Sequence, residues 1–133
     1  MLKYLGTYLA VFVVLVAIDM VWLRLIAVQW YADGMGPLLA DSPRLWAAVA
    51  FYIMFPAGLL VFAVVPSAGA PLLNAVAMGA LFGFFAYATY DLTALAVIRG
   101  WPVGLSFLDM AWGTLVSGVS AGAGKLSLDY LSR

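Results

Sequence analysis

Asp19, Asp91 and Asp109 lie inside stretches that are otherwise apolar enough to cross a membrane. A carboxyl group at membrane depth is costly, so it turns to the protein interior and finds partners or a function there. Such a group can bind a cationic ligand, relay a proton, or donate a hydrogen bond from its neutral form. Three of them crowded together without close cations share protons and titrate as a unit.

The neighbouring residues extend this chemistry. Asp19-Met20-Val21-Trp22 and Asp109-Met110-Ala111-Trp112 share one pattern, with Trp a turn beyond Asp. An indole N–H at that spacing can donate to the carboxylate. Tyr87 precedes Asp91 by one turn, Tyr90 and Thr93 flank it, and Tyr52 offers a further hydroxyl. Together with Trp22 and Trp112 these residues would line a ligand-binding pocket with an acidic floor and an aromatic wall. Buried Asp, Tyr and Trp can also do no more than hydrogen-bond helices together. Three acids at one depth favour function over packing. Arg24 and Arg99, near the rim, can snorkel away from the site, and Arg44 reads as an interface anchor.

The elements that must position these residues follow from composition. The chain has 133 residues, is 67% hydrophobic and 9% charged, and has a mean hydropathy of +1.11. A soluble domain would carry far more charge. The fold expected is all-α: a four-helix transmembrane bundle in a single domain, residues 1–133, with both termini on the same side. The spans are expected at about 5–28, 45–65, 72–98 and 103–124, each with the roughly 20 residues a bilayer needs. The N-terminal run is too long for a signal peptide and holds Asp19, so it reads as a retained first span.

Zero net charge gives no reason to expect nucleic acid. No Cys, His or Glu occurs, which removes thiolate chemistry, the usual zinc sites and histidine-based catalysis. No cofactor and no metal are expected. With a rise of about 1.5 Å per residue, Asp19, Asp91 and Asp109 fall roughly 13, 10 and 9 Å from the loop-side ends of their spans. All three thus share one layer.

The connections are marked by turn residues. Trp30, Tyr31, Gly34, Gly36, Pro37, Asp41, Ser42 and Pro43 read as the first loop, with Ser42 and Pro43 as cap and first turn of the second helix. Residues 66–71 and 99–102 form the other two. Trp30, Tyr31, Trp46 and Trp101 mark the membrane boundaries. Gly79 and Gly83, and Gly118 and Gly122, stand at helix-packing spacing, favouring packing within the bundle over homodimerisation. Pro56 should kink the second helix. Lys and Arg divide three against three between the two sides, and only Lys3 favours cytoplasmic termini.

Residues 84–93, then Gly100-Trp101-Pro102 and Asp109-Met110-Ala111-Trp112-Gly113, together with Asp19, Trp22, Leu23 and Tyr52, resemble a known family. It is the family of small bacterial four-helix membrane proteins catalogued as domain of unknown function 2177. The resemblance covers nearly the whole chain and implies a bacterial inner-membrane, multi-pass protein, without an established reaction. The family pattern reads Tyr-Asp-x-Thr-Asn, and this chain has Ala94 at the Asn position.

The function these residues favour is binding or handling of a lipid-like or cationic small amphiphile, non-catalytic or weakly catalytic. Expected partners are membrane lipid, the lipid-like ligand, and a homodimer or larger membrane complex. One alternative is an accessory subunit of such a complex. Another is a proton-coupled small-molecule transporter acting as a dimer. An intramembrane aspartyl hydrolase is a minor third, because Ser106-Phe107-Leu108 stands where a Gly-x-Gly would precede the second Asp.

Overall fold

A computed structural model describes all of residues 1–133. Helix α1 spans Leu2–Val21 and runs into a π-helical turn, Trp22–Ile26. A short α2, Val28–Met35, follows, then α3 at Leu45–Leu59 with a second π turn at Leu60–Val64. The long helices α4, Leu72–Val97, and α5, Val103–Leu131, complete the chain. Counted with their π and 3-10 extensions, four helical segments are long and apolar enough to cross a membrane. The chain is a multi-pass membrane protein of four spans.

Helix α1 shows why this sequence needs lipid as solvent. Its buried residues recur every fourth position at Thr7, Val11, Leu15 and Asp19, two of them polar. Leu5, Leu9, Val13 and Val21 face outward. A helix in water does the reverse and turns its polar residues out. In lipid the backbone bonds are satisfied within each helix, and polar side chains seek one another inside.

Helices α4 and α5 are pressed together by their glycines. A methyl group at Gly79 or Gly83 would run into Ser117 and Ala121, or into Ser117 and the Gly113 carbonyl. Gly118 and Gly122 receive Val76 in the same seam. Small residues let backbones approach and gain dispersion contacts, which in lipid replace the hydrophobic drive. The glycine pairs are thus used inside the bundle.

The apolar core joins α1, the second span and α5 through Val11, Leu15, Phe55, Leu59, Val64 and Val116. It fills the half of the bundle nearer the chain ends, where Leu131 rests against Gly6. The opposite half, the loop end, holds the three aspartates. Pro56 lies within α3 and cannot bond the carbonyl four residues back. Next to it the Ile53 carbonyl accepts the Tyr8 hydroxyl at 2.7 Å, so part of the disturbed backbone is bonded across to α1.

Several boundaries differ from the sequence-based expectation. Trp30, Tyr31 and Gly34 are helical, not loop: the first span breaks at Ala27, and the chain turns into α2. Helix α3 begins at Leu45 after Arg44, with no side-chain cap, so Ser42 and Pro43 precede it without capping it. Helix α5 runs seven residues past Gly124, to Leu131. Lys125 there is buried but bonds both oxygens of Asp129 at 2.9 and 3.0 Å, and Leu128 packs in the core.

Candidate functional site

The loop-end half of the bundle encloses a cavity of about 600 Å³. Asp19, Asp91 and Asp109 all line it. The rest of its wall is mostly apolar and comes from the Trp22–Ile26 turn, α2, α3, α4, the start of α5 and the connecting segments at Leu39 and Trp101. The three acids differ sharply in what their oxygens do.

Asp19 is buried and fully engaged. It accepts from the Tyr52 hydroxyl of α3 and from the Trp112 indole of α5, the latter at 2.8 Å. One carboxylate therefore ties three helices. Each donor is saved from an unmatched polar group in an apolar setting.

Asp109 is half-buried and accepts the Tyr31 hydroxyl at 2.6 Å. Tyr31 in turn accepts the Trp22 indole at 3.4 Å. Burial, then the bond to Asp109, holds the Tyr31 phenol above its ordinary value of 10.0. A phenolate there would be desolvated and would face a carboxylate. The two indoles also stack, Trp22 on Trp112 at 4.4 Å and 6° between planes, which joins the Asp19 and Asp109 networks.

Asp91 stands apart. It is only 2% exposed, lies within hydrogen-bond reach of the Asp109 carboxyl, and receives no Tyr, Trp or backbone donor at its Oδ2. Buried acceptors are nearly always bonded, so this oxygen sets Asp91 apart from Asp19. No basic residue lines the cavity, and the one salt bridge in the chain is Lys125–Asp129, in the other half.

The remaining candidates sort by position. Tyr87 lines the cavity, with its ring over Gly113, where any side chain would collide with it. Tyr90 lines it too and meets Trp101 edge-on at 5.6 Å. Tyr52 and Trp112 lie behind the wall and hold Asp19, and Trp22 lies behind it and holds Tyr31. Thr93 lies outside: its hydroxyl bonds the Thr89 and Tyr90 carbonyls of its own helix. The expected Trp-to-Asp bonds within α1 and α5 do not form, because Trp22 reaches Tyr31 and Trp112 crosses to Asp19.

Tyr31 is the residue that sequence reasoning missed as part of the site. A signal exists: Val28, Tyr31 and Met35 share one helix face, while Gln29 and Asp33 pair on another at 2.8 Å. That is an amphipathic turn, not a loop. Trp101 and Ser106 also line the cavity, and Ser106 spends its hydroxyl on the Pro102 carbonyl.

The chain belongs to the DUF2177 family, described as a predicted membrane protein, whose model matches residues 4–126. No curated protein and no solved structure matches the chain.

Proposed function

We propose that the protein binds a lipid-like amphiphile which enters from the bilayer between α3 and α4 and sets its polar head at Asp91 and Asp109. The observation that carries this reading is that Asp91, whose buried Oδ2 receives no Tyr, Trp or backbone donor, lines a mostly apolar cavity of about 600 Å³. Pockets for small molecules typically have about that volume, apolar walls and a few placed polar groups.

The way in supports an amphiphile over a water-soluble ligand. Helix α4 packs on the Leu60–Val64 turn, while the body of α3 stands off from it. The two helices touch at Phe55, which meets Phe82 and Tyr87. Beyond that point Met54 and Tyr90 both line the cavity while 66% and 57% exposed. Met54 is nine residues into α3, roughly 13 Å along the helix from Leu45. An opening at that depth faces hydrocarbon. We take the membrane to be a bacterial inner membrane, since outer-membrane spans are β-barrels.

Native mass spectrometry tests the reading. Protein released from its own membranes in mild uncharged detergent should carry an adduct of amphiphile mass. Ala86→Trp, which puts a large ring into the cavity, should lose that adduct while melting as wild type does. An equal adduct in both proteins, or none in either, contradicts the proposal.

A further inference from the structure

We infer that the head group taken by this cavity is a protonated amine. This rests on the amphiphile reading and adds the chemical class of the head. Three acids line the cavity and no Lys or Arg does. Arg24, Arg44 and Arg99, the cations of the loop end, are all exposed and pair with none of the three. A phosphate or sulfate head would therefore enter an acidic site with no counter-charge, at a cost that low polarity enlarges.

The acids also divide the work. Both oxygens of Asp19 are occupied by Tyr52 and Trp112, and one oxygen of Asp109 by Tyr31. Asp91, almost wholly buried, lies within hydrogen-bond reach of the Asp109 carboxyl, and no Tyr or Trp donor reaches its Oδ2. What the adjoining pair lacks is a cation, and an ammonium brings three N–H donors and the matching charge. Tyr87, Tyr90 and Trp101 supply aromatic rings in the same wall, and ring faces attract a cation. A neutral alcohol would donate to that oxygen without the charge, and so is the competing head.

Three probes with one identical brominated alkyl chain separate these cases: a primary ammonium, an alcohol and a sulfate. Each is titrated into wild-type protein in uncharged micelles, and quenching of Trp101 fluorescence is followed, assigned by its loss in Trp101→Phe. The ammonium should quench at a mole fraction about tenfold lower than the alcohol, as a charge-assisted bond requires. The sulfate should not quench. Asp91→Asn should bring the ammonium curve onto the alcohol curve and leave the alcohol curve where it was. An alcohol or sulfate that matches the ammonium in wild type overturns the amine head, while the amphiphile reading stands. So does an ammonium preference that survives in both Asp91→Asn and Asp109→Asn. If no probe quenches, both readings fall.

Discussion

Trp112 donates its indole N–H to Asp19 on another helix, at 2.8 Å, and not to Asp109, three residues before it on its own. The nearest acid in sequence is thereby left for Tyr31. All three aspartates line one cavity, but this crossing leaves Asp19 with both oxygens spent on other helices and Asp91 and Asp109 outside that tie.

Asp19 acts as a fastener. Asp19→Ala leaves the Tyr52 and Trp112 donors without an acceptor and should lower stability by about 1–3 kcal/mol in a detergent melt. Asp19→Asn keeps one acceptor and should cost less. Neither should abolish the ammonium preference. Its loss in Asp19→Asn, with an unchanged melt, would reverse the roles given to Asp19 and Asp91.

Much of the architecture was legible, because hydropathy and proline report the solvent. Pro71 and Pro102 sit immediately before α4 and α5, and the expected starts at 72 and 103 match. The end of α5 was not legible: Lys125 reads as an exit from the membrane, yet Asp129 one turn on and Leu128 in the core carry the helix further. That the three acids share a layer follows from helix rise alone. Which acid takes which donor does not, because it depends on the π turn at Trp22 and on where α2 folds back.

Tyr31 latches α2 over the loop end of the cavity. Tyr31→Phe removes its bond to Asp109 and should cost about 1 kcal/mol. Amide exchange at residues 28–35 should quicken before the rest of the bundle responds. Unchanged exchange there would remove the latch.

The same phenol gives a pH signature. Its proton is held more tightly in the folded protein than in the unfolded chain. The stability it contributes is therefore whole below about pH 10 and falls as pH rises further. Melts of wild type and Tyr31→Phe across that range should converge at the alkaline end. Parallel curves would show that Tyr31 is not desolvated.

Gly113 makes room for Tyr87. Gly113→Ala places a methyl group in that ring and should destabilise by about 1–3 kcal/mol. Gly104→Ala, next to open space, is the control and should cost almost nothing by comparison. Equal melts for the two variants would contradict the position given to Tyr87.

Ala94 is buried one turn beyond Asp91. An amide at that spacing can donate to the carboxyl. Ala94→Asn should therefore compete for its Oδ2 and weaken the ammonium preference with little change in the melt. A stronger preference would mean that the ammonium does not need that oxygen.

The central claim is that Asp91, and not Asp19, offers its carboxyl to molecules arriving from the bilayer. An apolar carbodiimide, which reaches membrane carboxyls through lipid, tests it directly when applied to the intact protein in mildly acidic buffer, followed by peptide mapping. The account predicts modification at Asp91, protection of Asp91 by the alkylammonium probe, and little reaction at Asp19. Modification at Asp19 with none at Asp91 would contradict it.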